Sequence, residues 1–116
     1  MKILFFHVAI RTACGYRVGL GIASISAYLK RRGVETELVY YQSDDDFKYA
    51  MDKVERCSPD IIGFHSTSIN WKTVEALSRQ IKMRFPDILQ MYGGVHATLV
   101  PEMISAIEGL DALCVG

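Results

Sequence analysis

Tyr92-Gly93-Gly94-Val95-His96-Ala97-Thr98 is the stretch on which the fold turns. The apolar run Ile88-Leu89-Gln90-Met91-Tyr92 leads into it and reads as a buried strand. Two glycines follow at once. Adjacent glycines at a strand's end permit positive φ and let a ligand lie against bare backbone. Thr98-Leu99-Val100-Pro101-Glu102 comes next, and proline suits the first turn of a helix. Strand, glycine pair and helix describe a βα turn of an α/β sheet, on the edge where such sheets bind ligands. A tight turn with no ligand is the other reading of the same residues.

Upstream, strands and helices alternate. Ile3 to Val8 is a continuous apolar run, broken by His7, and reads as a central strand. Ala9 to Arg17 is a polar loop with Gly15. Leu20 to Arg32 reads as a helix, small at Ala23 and Ala27, which suits close approach to a sheet. Lys30-Arg31-Arg32 places cations at the negative end of its dipole, and Gly33 supplies the stop. Glu35 to Tyr41 reads as a second strand whose two glutamates suggest an edge. Asp44-Asp45-Asp46 opens a second helix with an apolar face of Phe47, Ala50, Met51 and Val54. The acidic triplet reads as helix capping, because three successive carboxylates at a helix start cannot all point at one ion. Ser58-Pro59 ends that helix, and Asp60 to His65 is a third strand.

Ser66 to Asn70 is a hydroxyl-rich loop with Asn70 placed to cap the next helix. That helix carries Trp71, Val74, Leu77, Ile81 and Phe85 at three- and four-residue spacing, with Trp71 read as core packing. Pro86-Asp87 breaks it ahead of the fourth strand. Met103, Ile104 and Ile107 mark a short last helix, and Ala112-Leu113-Cys114-Val115 begins a fifth strand.

This alternation predicts a flavodoxin-like (Rossmann-like), doubly wound parallel sheet of five strands in the order 2-1-3-4-5. Right-handed crossovers put every strand's carboxyl end on one edge. The loops Ala9 to Gly19, Ser66 to Asn70 and Gly93 to Leu99 then converge there. A final helix over the fifth strand is missing. The 116 residues are expected to be one domain, 1–116, from the N-terminal part of a longer protein.

Half the residues are hydrophobic, enough for a core, and 13 basic residues balance 13 acidic ones. Zero net charge argues against nucleic acid as a partner, since phosphate binding needs a basic excess. The apolar runs are strand-length, too short to span a membrane, and the first residues do not form a signal peptide. A cytoplasmic protein is expected. Cys14, Cys57 and Cys114 are odd in number and far apart, which fits reduced thiols. Cys57 and Cys114 read as inert and partly buried, Cys14 as exposed.

Gly93-Gly94-Val95-His96-Ala97-Thr98-Leu99-Val100-Pro101-Glu102 resembles the glycine motif of cobalamin-binding domains that precede radical S-adenosylmethionine (SAM) domains. Gly19-Leu20-Gly21 with Ala27-Tyr28-Leu29-Lys30-Arg31-Arg32-Gly33 resembles their first helix, Pro59-Asp60-Ile61-Ile62-Gly63 their third strand, and Asp111-Ala112-Leu113-Cys114-Val115-Gly116 their fifth. The resemblance implies a vitamin B12 carrier. Cobalamin would lie over the carboxyl edge, with its dimethylbenzimidazole tail in a slot beside the strands. It implies Gly93 and Gly94 as the tail-facing pair, with Ser66, Thr67, Ser68 and His65 at or beside the hydroxyl position, Ser66 first among them. His96 and Gly19 belong to the same motif segments. Simple helix capping is the other reading of the hydroxyls.

The chain departs from the family at the cobalt ligand. Many cobalamin domains carry Asp-x-His-x-x-Gly before the first helix. Laying the last Gly on Gly21 puts Tyr16 at the Asp and Val18 at the His. The axial imidazole is therefore missing. The Cys-x-x-x-Cys-x-x-Cys of a radical SAM domain is absent too, so an iron-sulfur cluster and SAM are expected only in the rest of the parent protein. The domain alone is read as non-catalytic, its parent as a radical SAM enzyme such as a methyltransferase. Expected partners are cobalamin, the C-terminal radical SAM domain of the same chain, and a second copy across the uncovered fifth strand.

A rival reading comes from the histidines. His7, His65 and His96 each fall at or just after a strand end on one edge, and three imidazoles could hold zinc with an open position, as in a small hydrolase. Adjacent residues of a strand face opposite ways, which weighs against it. Receiver and flavin-binding domains share the fold. The first needs clustered acids after strand one and the second a hydroxyl-rich phosphate loop, and neither follows Phe6.

Overall fold

Leu4, Phe6 and Val8 alternate along strand β1 (Lys2–Val8), and each is at most 1% exposed. A strand with one face so fully apolar belongs at the centre of a sheet. In the computed structural model, which describes residues 1–8, 20–66, 71–93 and 109–113, β1 lies there. The other elements are α1 (Leu20–Arg31), β2 (Glu35–Tyr41), α2 (Phe47–Cys57), β3 (Ile61–Ser66), α3 (Trp71–Arg84), β4 (Leu89–Gly93) and β5 (Ala112–Leu113). All strand pairs are parallel, in the order β2-β1-β3-β4-β5. The four longer strands take the expected order 2-1-3-4. β5 pairs with β4 at two positions, Met91 with Ala112 and Tyr92 with Leu113.

The two faces of the sheet differ. Leu4, Phe6, Val39, Ile62, Phe64 and Tyr92 point to one face and pack with Ala50, Met51 and Val54 of α2 and Val74, Leu77 and Ile81 of α3. These helix residues recur at three- and four-residue spacing, so the predicted apolar faces are the buried ones. Each of the larger of these side chains, fully buried, contributes about 1.5–3 kcal/mol. The other face carries Ile3, Phe5, His7, Thr36, Gly63 and Met91, and α1 meets it at β2, where the hydroxyls of Ser26 and Thr36 are hydrogen-bonded. Ala27 is exposed together with Ile25 and Tyr28, so the small residue expected to face the sheet faces outward. The side chain of Ala23 lies outside the described residues.

Helix ends follow local chemistry. Gly33 takes φ +84°, Val34 N–H donates to Leu29 O at 3.0 Å, and Gly33 N–H donates to Lys30 O at 3.1 Å. This is the left-handed glycine stop with both its hydrogen bonds. Asp44–Asp46 forms a 3-10 turn ahead of α2 rather than part of the helix. Asp46 occupies the N-cap position without capping the helix by its side chain. Its carboxylate instead accepts from the N–H groups of Gln42 at 2.8 Å and Ser43 at 3.3 Å, tying down the turn before it. α2 ends on Ser58, a non-glycine residue at φ +45°, where Ser58 N–H donates to Val54 O.

The amino edge is stitched by Asp60. Its N–H donates to Lys2 O at 2.9 Å, its carboxylate accepts from Lys2 N–H at 2.9 Å, and its carbonyl accepts from Leu89 N–H at 3.2 Å. No helix among the described residues is long and apolar enough to cross a membrane. The short helix expected near Met103 to Ile107, the Asn70 cap and the packing of Trp71 fall outside what the structure describes.

Candidate cofactor site

Parallel pairing fixes which residues share a level of the sheet. At the carboxyl edge, Tyr40 of β2, His7 of β1, His65 of β3 and Gly93 of β4 stand in one register row. Three of the four carry rings. His7 and His65 stack with centroids 5.3 Å apart and planes 14° from parallel. Tyr40 meets the other side of His7 edge-on at 5.5 Å. Both spacings lie in the range where aromatic pairs attract. Among the described residues the row ends at Gly93, which offers backbone and no side chain.

The row one level in is Leu38, Phe5, Gly63, Met91 and Ala112. A Cβ on Gly63 would stand 3.1 Å and 3.2 Å from two atoms of the Phe5 ring. Phe5 therefore leans across the glycine, one register level in from His65 and Gly93. Phe5, Gly63, His65, Met91 and Gly93 are all half-buried.

The imidazoles are poor bases here. Burial, and after it the neighbouring His65, hold His7 below the ordinary imidazole pKa, and burial does the same to His65. His7 is 8% exposed, and its Nδ1 is buried with no hydrogen-bond partner. Desolvation penalises the charged form, so the pair is neutral at physiological pH. The rings lie nearly parallel, so their in-plane lone pairs run side by side and do not converge on one ion. Among the described residues no group of three His, Cys, Asp or Glu side chains could hold a metal.

The residues singled out from the sequence divide accordingly. His65 and Gly93 are brought together as register partners. Gly93 closes β4 rather than opening the turn, and Ser66 closes β3 rather than opening the loop, because both still pair with neighbouring strands or extend their line. Gly19, Thr67, Ser68, Gly94 and His96 lie outside the described residues, as do Tyr16, Val18, Cys14 and Cys114. Tyr40, Phe5 and Gly63 were missed. No local signal finds them, since the row depends on the register of neighbouring strands as well as on their order.

A second polar cluster sits on the edge strand. The Cys57 thiol donates to Glu37 at 2.7 Å, and Lys53 donates to the same carboxylate at 3.0 Å. These two contacts, with Lys2 nearby, hold Glu37 down to about 2. Burial and the Glu37 charge push the thiol up. A thiol so disfavoured as thiolate is unreactive, as expected for Cys57. A hollow of about 500 Å³ between α2 and α3, bordered by Tyr41, Phe47, Lys72 and Leu77, opens on the face away from the ring row.

Two solved structures share this architecture. A cobalamin-binding protein from Desulfitobacterium hafniense DCB-2 superposes with a TM-score of 0.75 at 20% identity, covering 97% of this chain and 52% of that one. The chain thus spans about half the length of that protein. A type II dehydroquinase from Butyrivibrio crossotus DSM 2876 superposes with a TM-score of 0.66 at 14% identity, covering 100% of this chain and 88% of that one. At such identities both likenesses establish a common fold and leave function open. No protein of curated description matches the sequence. The profile of the B12 binding domain matches residues 7–116, which take in the whole ring row and the glycine pair, and the chain belongs to that family.

Proposed function

We propose that the chain is a cobalamin-binding module that holds the corrinoid over the carboxyl edge of its sheet. The observation that carries this reading is the Gly93 position: a strand end without a side chain, in register with His65 and beside the stacked His65 and His7 rings. Family membership supports it independently. Cobalamin, when bound, supplies a cobalt centre able to carry an alkyl group. This chain's own residues would bind and orient it: Gly93 and Gly94 leaving room for the tail, Ser66, Thr67 and Ser68 offering hydroxyls, and His65, His96 and Gly19 lining the same edge.

In this reading no protein imidazole ligates cobalt, because Val18 stands at that position of the motif. The nucleotide tail is displaced into the slot, and affinity is modest, on the order of micromolar or weaker, roughly 8 kcal/mol or less. The module is the N-terminal domain of a cytoplasmic radical SAM enzyme such as a methyltransferase, and the iron-sulfur cluster and SAM belong to that C-terminal domain. In this reading the fifth strand runs on past Leu113, and a second copy meets the chain there. Leu89, 53% exposed on neighbouring β4, supports that contact, and sedimentation at rising concentration tests it.

The deciding experiment is the visible spectrum of cobalamin titrated with the protein. A shift to the tail-displaced spectrum, lost on Gly94→Val because the new side chain blocks the slot, is the expected result. A nitrogen-ligated spectrum that depends on His7 or His65 would overturn the ligand assignment. An unchanged spectrum in a longer chain carrying the final helix would overturn cobalamin binding itself.

A further inference from the structure

Strand β2 closes one side of the sheet, and among the described residues it pairs with β1 alone. Glu35 N–H donates to Met1 O at 3.1 Å, so Glu35, Glu37 and Val39 turn their backbone groups toward β1. The residues between them do the opposite, and Thr36 and Leu38 present N–H and C=O outward. The strand is seven residues long and holds no proline. Side chains reach it from its two faces, Ser26 to Thr36 on one, Lys53 and Cys57 to Glu37 on the other. The border itself stays open: Leu38, at its middle, is 36% exposed, and a hollow of about 570 Å³ lies among Lys30, Gly33, Thr36 and Glu37. An edge of this length with nothing paired to it is a template for another strand.

The charges at the two ends of β2 say which strand. Lys30, Arg31 and Arg32 stand as far before Leu38 as Asp46, Asp45 and Asp44 stand after it. Arg31, Arg32 and Asp45 are exposed, and none of the three forms a salt bridge among the described residues. We propose that β2 pairs antiparallel with β2 of a second copy about a two-fold axis at Leu38, each basic run lying against the acidic turn of the other chain. Leu38 then exchanges both backbone hydrogen bonds with its own copy, and Glu37 faces the partner's Val39. Charge selects this register. An axis at Thr36 or Glu37 sets glutamates opposite one another, and like charges directly opposite destabilise a pair. An axis beyond Leu38 slides the basic run out of step with the acidic turn. Reversed strands also point the two carboxyl edges in opposite directions, so both candidate cofactor sites stay open. The contact is independent of cobalamin and lies across the sheet from the fifth strand.

The test uses the full chain carrying Leu89→Asp, which removes the contact at the fifth strand. Sedimentation at rising concentration should show a dimer. Arg31→Glu and Asp45→Arg should each weaken it about tenfold, since each turns two exposed pairs from attraction to repulsion. The two variants mixed should recover the lost affinity, because acid then meets base at both ends. With Cys14, Cys57 and Cys114 replaced by alanine, oxidation of Leu38→Cys should give a covalent dimer, its Cα atoms standing about 5.5 Å apart across the axis. Glu37→Cys, diagonal to its copy, should not cross-link. A monomer at every concentration, a Leu38→Cys chain that stays monomeric on oxidation, cross-linking through Glu37→Cys in its place, or charge variants that associate as the parent does would overturn the pairing.

Discussion

Gly109 lies buried against α3 just before β5, and replacing it with alanine tests how that packing is set. A Cβ there would stand 2.7 Å from the Ser78 carbonyl oxygen and 2.8 Å from the carbonyl carbon, and it would also strike the Ser78 hydroxyl. Two of the three obstacles are backbone and cannot rotate away. Overpacking of this kind costs about 1–3 kcal/mol, and fixed obstacles place it near the upper end. Alanine also narrows the unfolded ensemble, which returns about 0.4–1 kcal/mol. The net loss is about 2 kcal/mol. With an m-value of about 2 kcal/mol/M, the urea midpoint read by circular dichroism falls by about 1 M. Ser78→Ala alone is expected to be neutral or slightly stabilising, because its hydroxyl is buried with no hydrogen-bond partner. In the double variant only the hydroxyl share of the loss returns. A Gly109→Ala loss below about 0.5 kcal/mol, or complete rescue by Ser78→Ala, would refute the backbone-contact argument.

Two acid-base predictions accompany it. His7 and His65 have folded pKa values below the unfolded one, so the unfolded chain takes up protons first as pH falls. Their contribution is complete above about pH 6.5 and is lost progressively as pH drops toward the lowered values. Glu37, held at about 2 against 4.5, contributes above pH 4.5 and loses its contribution as pH falls through about 2. Thermal melts across pH should show both windows, and a His7→Phe, His65→Phe pair should flatten only the upper one; an upper window that persists in that pair contradicts the assignment. Glu37→Gln should lower the Cys57 thiol pKa and speed its labelling at about pH 8 by a few-fold, read with Cys14 and Cys114 replaced by alanine. Unchanged or slower labelling would show that burial alone controls that thiol.

Local pattern carried much of the architecture. The spacing of Val74, Leu77 and Ile81 marked the buried face of α3, and Gly33 marked the end of α1, because both effects act within one or two helical turns. The order 2-1-3-4 followed from alternation and crossover handedness. Legibility failed where two distant elements decide the outcome. Ala27 is small and still faces outward, while its neighbour Ser26 meets Thr36 of β2 through their hydroxyls. The acidic triplet was expected to cap α2, but Asp46 bonds the turn behind it, a choice between neighbouring amides that composition does not encode. In the candidate site, His65 and Gly93 were visible as residues at strand ends. Their partnership with His7 and Tyr40 was not, because register across three strands is a tertiary property.

The central place of β1 has a consequence for synthesis. β1 is made before both of its neighbours, β2 from Glu35 and β3 from Ile61. Met1 accepts from Glu35 N–H and Lys2 from Asp60 N–H, so even its first residues are anchored by partners that do not yet exist when they emerge. At roughly 5–20 residues per second, β1 waits roughly three to twelve seconds for β3. Until then Leu4, Phe6 and Val8 have at most β2 beside them, and the edge of β1 that β3 will cover stays apolar and unpaired. A chaperone that recognises short apolar segments would find its target in the first eight residues, and would have to release it once Ile61–Ser66 appears.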